Sequence, residues 1–355
     1  MNNLVIIGNG FDLAHNMETS YNHFIEYLVE SHIKSMMFND LLDFDGDFQS
    51  FEDFKDQKCP DFKTSGNGTF HTYIKLKLIK IIIEHVSSKK WSDIEAIYFK
   101  LLNATKLFTQ FSDNPKGLNK QFSIIKDYLI DYLEIQEKNV HVINSYKNLF
   151  SLIDSKETAI LNFNYTNTLK NIYSNEIKES KIIHIHGELS NDKNPIIFGY
   201  AANDEESREL IDRNDNEYMR NIKKHLYKRT ENEKLLSYYL EGTEGIDVTI
   251  LGHSCGLSDK LILNQILNHK NISSINVFYY EEYEQYFQTQ VNIDRIMNRD
   301  EHFTKLVDFN SSHRMPQHND TEEQQEAFIK YITPIIEKRK AIKRIYDADN
   351  GNAIK

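Results

Sequence analysis

The chain has 355 residues, 40% of them apolar, and a formal net charge of −11. That charge argues against a general nucleic-acid binder and against docking on an anionic membrane, since both need a basic surface. Cys59 and Cys255 are the only cysteines, so no disulfide framework is available and a reducing compartment is expected. With no apolar run of spanning length and no basic leader, the expectation is a cytoplasmic protein without a membrane segment.

The first element is a buried strand, Leu4-Val5-Ile6-Ile7, running into Gly8-Asn9-Gly10. A continuous apolar run of this kind suits a parallel sheet covered on both faces. The glycines allow a tight turn in which backbone amides can meet a pyrophosphate, although the third glycine of a dinucleotide fingerprint is replaced by Leu13. A helix is predicted from Ser20 to about Lys34. Residues 39–70 have no period; Asp43, Asp45 and Asp47 around Gly46 lack the loop spacing of a calcium site. Helical patterns follow over Tyr73 to His85, from Trp91, over 118–135 and over 138–153. Ser92 and Glu95 have the spacing of a capping box.

Alternation of strand and helix then resumes. Strands are predicted at Thr158 to Phe163, Lys181 to His186, Pro195 to Tyr200, Asp247 to Leu251 and Ile272 to Tyr280, with an edge strand at Thr304 to Phe309. Helices are predicted near Leu169 and Tyr173, within the charged stretch 204–241, at 258–269, at 283–298 and at 320–344, the last bent or broken at Pro334. The pattern implies an α/β fold: a doubly wound, mostly parallel sheet of Rossmann type with a helical insertion after the first βα unit. The expected domains are 1–35 with 155–315 for the sheet, 36–154 for the helical lobe, and 316–355 for a C-terminal helix and tail.

Ligands of such sheets bind beyond the carboxyl ends of the strands. Gly8-Asn9-Gly10, Asn162 to Asn167, His184 to Gly187, Tyr200 and Gly252 to Ser254 all fall there. His184 and His186 alternate with isoleucines and so share one side of their strand. No third ligand accompanies them, and no metal is expected. His184 reads as a core histidine with a hydrogen bond; His186, at the strand end before Gly187, reads as a general base. Gly252-His253-Ser254-Cys255-Gly256 also fits a nucleophile elbow, with Ser254 as nucleophile and Asp294 with His302, His313 or His318 as partners.

Taken together, Gly8 to His15 with Thr19-Ser20-Tyr21, Trp91 to Glu95, Asn162 to Asn167, Ile185-His186-Gly187, Phe198-Gly199-Tyr200 and Gly252-His253-Ser254 with Ser258-Asp259 resemble the AbiH family of abortive-infection proteins against phage. The resemblance runs from about residue 3 to 280. That family is similar to a remote branch of the sirtuin-like superfamily, whose members bind NAD. The resemblance implies that Gly8 and Gly10 hold phosphates, that Asn164 faces the ribose, that His186 is the base, and that Gly252 and Ser254 sit near the second ribose, with Asn9, Asp12 and Thr166 also in the cofactor site.

Two departures from the superfamily pattern matter. Asn162 and Thr166 stand where it has Thr and Asp, so the carboxylate that orients nicotinamide is missing at 166; Asp12 is the candidate substitute. A four-cysteine zinc module is impossible with two cysteines.

The expected activity is cleavage of NAD, as substrate, at the nicotinamide–ribose bond, in a homo-oligomer answering a phage-derived trigger. A non-catalytic nucleotide-sensing module and a serine hydrolase using Ser254 are the alternatives.

Overall fold

The structure is a computed structural model that describes residues 2–35, 78, 82, 91–103, 115–153, 155–178, 180–202, 204–297 and 304–352. The irregular stretch 39–70, most of the helix expected over Tyr73 to His85, and His302 lie outside the described residues. β1 (Asn2–Ile7) enters α1 (Asn9–Ala14). α2 (Tyr21–Ser35), α3 (Trp91–Asn103), α4 (Pro115–Gln136) and α5 (Asn144–Leu152) precede β2 (Thr158–Asn162). α6 (Thr168–Tyr173) leads to β3 (Lys181–His184), α7 (Asp204–Asp212) and α8 (Asn232–Glu241) lead to β4 (Ile246–Leu251), and α9 (Lys260–Leu267) leads to β5 (Ile272–Phe278). α10 (Tyr283–Ile296) and α11 (Glu322–Asn352) follow.

The fold is α/β. Its five strands are all parallel, in the order β3-β2-β1-β4-β5. Every residue of β2 and β4 is buried, the polar Thr158, Asn162, Asp247 and Thr249 included, as expected of central strands covered on both faces. The register aligns their ends. Ile7 lies opposite both Asn162 and Leu251, Asn162 opposite His184, and Leu251 opposite Phe278. One row therefore marks the carboxyl edge, and the segments beyond it leave at one level. Strand order reverses between β1 and β4, so the turns after these two strands flank the switch point.

Contacts divide the chain into two compact units. The first comprises Met1–Met17, Glu137–Ile196 and Tyr227–Lys355, the second Glu18–Gln136 and Ile197–Leu226. In the first unit, Val5, Ile7, Ile160, Leu251 and Phe278 of the sheet pack with Tyr146 and Phe150 of α5, Tyr173 of α6, and Phe328, Ile332 and Ile336 of α11. Burying such a side chain is worth roughly 1.5–3 kcal/mol. His15 belongs to this core. Its ring lies 4.3 Å from that of Phe11 and stacks at 5.2 Å on Tyr146, Nδ1–H donates to the Phe11 carbonyl at 2.6 Å, and Nε2 lies 2.8 Å from the Tyr173 hydroxyl. Burial holds it neutral, with its pKa down at about 4.

In the second unit, Phe122 of α4 stacks on Tyr98 of α3 at 4.1 Å and on Phe198 at 4.7 Å, and Phe99 stacks on Tyr200 at 3.9 Å. Residues 197–226 thus join helices that lie about a hundred positions earlier in sequence.

Four expected elements differ. Pro195 to Tyr200 is not a strand. Its donors go elsewhere: Gly199 N–H to the Glu95 carboxylate at 3.2 Å and Tyr200 N–H to the Asn221 carbonyl at 3.0 Å, leaving one bridge between Tyr200 and Ile222. Thr304 to Phe309 is reduced to one bridge, Leu306 with Ile275, beside a helical turn. The helix from Trp91 places Ser92 inside its first turn, and Glu95 faces Lys223 instead of closing a capping box. α11 runs through Pro334 without ending; Pro334 is exposed, so the lost backbone hydrogen bond lies on the solvent side.

Candidate functional site

The turn after β1 and the turn after β4 are welded backbone to backbone. Gly8 N–H donates to the Leu251 carbonyl at 3.1 Å, Gly10 N–H to the Gly252 carbonyl at 2.8 Å, and Phe11 N–H to the Gly8 carbonyl at 2.9 Å. A Cβ on Gly10 would stand 2.7 Å from Gly252 Cα, and one on Gly252, which has φ +68°, would stand 2.3 Å from Phe11 N. Only glycine fits these positions. The amides expected to meet a phosphate are spent on this weld. In the fold itself the glycines serve the close approach of two turns.

The turn after β2 is tied to the same weld. Asn164 donates through Nδ2 to the Gly8 carbonyl at 3.0 Å, and its N–H donates to Asn162 Oδ1 at 2.9 Å. Thr166 donates through Oγ1 to Asp12 Oδ2 at 2.6 Å. The structure therefore brings a carboxylate from α1 to the position where the sequence has Thr166. Asp12 is 1% exposed. Burial pushes its carboxyl up to about 6, although Thr166, Thr168 and Asn164 pull the other way by favouring the anion. Its Oδ1 is buried without a hydrogen-bond partner.

Beyond β3, His186 is buried with its Nε2 3.1 Å from Asp259 Oδ1 and 3.0 Å from the Tyr227 hydroxyl. Asp259 turns its other oxygen toward His253 Nε2 at 3.4 Å. Phe163 lies between the two imidazoles, its ring centroid 5.1 Å from that of His186 and 4.2 Å from that of His253. His184 is a core group. Its Nδ1 is 3.5 Å from Asn162 Nδ2, its Nε2 is 4.0 Å from Glu188 and has no hydrogen bond, and burial lowers its pKa to about 4.

The carboxyl edge thus assembles Gly8, Asp12, Asn164, Thr166, His186 and Gly252 in one unit, with Asn9 opening α1 beside them. His253 joins them, as its place directly after β4 allows for a histidine at this edge; Asp259 and Tyr227 join them without a role read from the sequence, although Asp259 stood inside a quoted motif. Tyr227 is 41 residues from His186 and nothing in the sequence pairs them.

Ser254 stands apart. It is exposed, its carbonyl accepts from Asn292 at 2.8 Å, and the positive φ of the turn falls on Gly252 and Cys255, not on Ser254. His313 packs against Tyr331 and Phe328, and His318 against His141, so neither completes a triad with Ser254 among the described residues.

The model of the bacteriophage abortive infection AbiH family matches residues 4–281. The chain belongs to the AbiH family. Membership implies an anti-phage abortive-infection role, and every residue gathered at the carboxyl edge lies inside the matched span. No curated protein matches the chain. This AbiH protein has, among the described residues, no helix long and apolar enough to cross a membrane.

The Trp91 to Glu95 and Phe198 to Tyr200 motifs of this AbiH chain meet in the second unit. Glu95 is buried, accepting from Gly199 N–H and pairing through Oε2 with Lys223 Nζ at 3.1 Å.

Proposed function

We propose that this AbiH protein is an NAD+ glycohydrolase acting in phage defence. The observation that carries the reading is the meeting of Asn164, the Asp12–Thr166 pair and the His186–Asp259 pair at the carboxyl edge of one parallel sheet. That edge, at a strand-order reversal, is where doubly wound sheets bind nucleotides.

In the reaction, the bond between ribose C1′ and the pyridinium nitrogen breaks, and its electron pair leaves with neutral nicotinamide. Water adds to the oxocarbenium-like ribose, giving ADP-ribose and a proton. Asn164 orients the ribose and the water. His186 takes the proton from that water or from a ribose hydroxyl. Asp12 Oδ1, which lacks a donor, accepts from the carboxamide N–H₂ of nicotinamide. Holding the remote end of the dinucleotide converts its binding energy into orientation at C1′. The welded glycines Gly8, Gly10 and Gly252 form the floor, while Asn9 and Ser254 supply polar side chains for phosphate and ribose.

Asp12, Asn164 and His186 are each less than a tenth exposed. Turnover therefore requires the edge to open, which is the step a phage-derived trigger supplies. The test is nicotinamide release by purified protein from phage-challenged cells. Wild type should release nicotinamide, whereas Asn164→Ala and His186→Ala should be at least about 100-fold slower, the scale of one general base. Tight ADP-ribose binding without release would instead assign the site a sensing role.

A further inference from the structure

Asp259 faces two histidines at once, and both of its oxygens are engaged: Oδ1 with His186 Nε2 at 3.1 Å and Oδ2 with His253 Nε2 at 3.4 Å. A carboxylate oxygen and an imidazole nitrogen at such a distance both present lone pairs, so a proton must lie between them. On the His253 side the proton is placed by a separate bond. Cys255 N–H donates to His253 Nδ1 at 3.0 Å, so the neutral ring carries its hydrogen on Nε2, aimed at Asp259. Cys255 holds that amide in place from a backbone with φ +52°. On the His186 side the ring is fixed by Phe163, at 88° to it, and by Tyr227, which stacks on it and whose hydroxyl oxygen, 3.0 Å from Nε2, shares the hydrogen that this nitrogen turns to Asp259. The side chains of Asp259, His186 and His253 are 13%, 7% and 6% exposed, so solvent screens their interaction little.

We propose that Asp259 is the positioning residue of the base: it holds His186 with hydrogen on Nε2, which makes Nδ1 the nitrogen that accepts the proton, and it is itself held by His253. The proposal rests on His186 being the base. When Nδ1 takes a proton the ring becomes an imidazolium facing a carboxylate, and no proton passes to Asp259. The arrangement follows the general logic of a carboxylate that fixes a histidine's tautomer and stabilises its charged form. His253 donates to the same carboxylate through Nε2 and holds its other oxygen. It is a structural donor, since its own Nδ1 is committed to Cys255.

Nitrogen-15 NMR of full-length protein labelled at histidine reads the tautomers directly, with His186→Gln and His253→Gln assigning the signals. In wild type at pH 8, the account expects both residues as the Nε2–H form. In Asp259→Asn, His186 should shift toward the Nδ1–H form and nicotinamide release should fall at least about 10-fold, while His253 keeps Nε2–H through its bond to Cys255. His186 as the Nδ1–H form in wild type overturns the proposal without any variant having to fold, and so does an unchanged tautomer in Asp259→Asn. The wild-type spectrum is independent of turnover. The expected tautomers in a protein that never releases nicotinamide would reject the glycohydrolase and leave the positioning intact.

Discussion

Buried charge is handled in opposite ways in two regions of this molecule. Within the helical unit, Glu95 meets Lys223 at 3.1 Å and also accepts a backbone N–H, so each charge is paired. At the carboxyl edge of the sheet, Asp12 is as deeply buried but faces no cation among the described residues; neutral donors led by the Thr166 hydroxyl serve it, and its Oδ1 has no hydrogen-bond partner. The first arrangement fixes a segment to its helices. The second retains an unmet demand, and such groups in native proteins call for an explanation in function. A buried carboxylate with a cation beside it holds its segment in place, whereas Asp12 keeps an oxygen open to a ligand's donor under the proposed function.

The comparison is broken most strongly at Glu95. Glu95→Ala leaves Lys223 buried without its partner and should cost about 3–5 kcal/mol of stability, read from urea unfolding. A Glu95→Leu, Lys223→Met double variant should lie much nearer wild type, because removing both charges removes the penalty. Equal losses in the two variants would mean that the pair is not what holds this region.

Asp12→Asn should act in the reverse direction. The Asp12 carboxyl is raised to about 6 in the fold against an ordinary value near 3.8, so its ionisation destabilises the native state above pH 6. The neutral variant keeps an acceptor for Thr166 and should be more stable at pH 8 by up to about 3 kcal/mol. That advantage should shrink as pH falls through 6 toward 3.8, while nicotinamide release is lost at every pH. A variant that is less stable at pH 8 would show that the carboxylate is a structural ion after all.

His15 and His184 test the same contrast from the acid side. Both are held neutral at about 4, below the ordinary 6.5. A histidine lowered on folding contributes stability that is full above pH 6.5 and is lost as pH falls toward 4. Urea midpoints of wild type should therefore drop across that window. His184→Asn should flatten the drop by up to about 3 kcal/mol, since it removes one of the two groups.

Smaller effects are expected at the weld and the rim. Gly10→Ala pushes a methyl against Gly252 backbone and should cost about 1–3 kcal/mol with a parallel loss of nicotinamide release. Ser254→Ala, at an exposed position, should change stability by less than about 0.5 kcal/mol and slow release far less than His186→Ala. Labelling of Ser254 by a fluorophosphonate would contradict the second expectation.

Much of the sheet could be read from the sequence because its strands carry short runs of buried, mostly branched apolar residues, as in Leu4 to Ile7 and Ala159 to Leu161, each closed by a glycine or an asparagine. Pro195 to Tyr200 shows the limit. The run is apolar because Ile196, Ile197 and Phe198 are buried, but burial does not reveal whether backbone donors meet a neighbouring strand or, as here, a glutamate and a loop. At the site, residues directly after strand ends were legible because topology places them at one edge. The contact of Asp12 with Thr166 could be anticipated only by asking what replaces the carboxylate absent at position 166. The glycines at positions 8 and 10 show a second limit. A glycine turn signals close approach, and the sequence could not say that the partner in that approach is the turn after β4. Asp259 stood in a quoted motif, but its pairing with His186, like that of Tyr227, was out of reach, because a helix start and a returning chain deliver them from 73 and 41 residues away.

The central claim is that the edge around His186 cleaves NAD once the protein is triggered. The most direct test follows NAD and nicotinamide in cells carrying wild type or His186→Ala through a phage challenge, at matched protein levels. Loss of NAD with equimolar nicotinamide in wild type alone is the predicted result. Infected wild-type cells that resist phage with their NAD intact would contradict it.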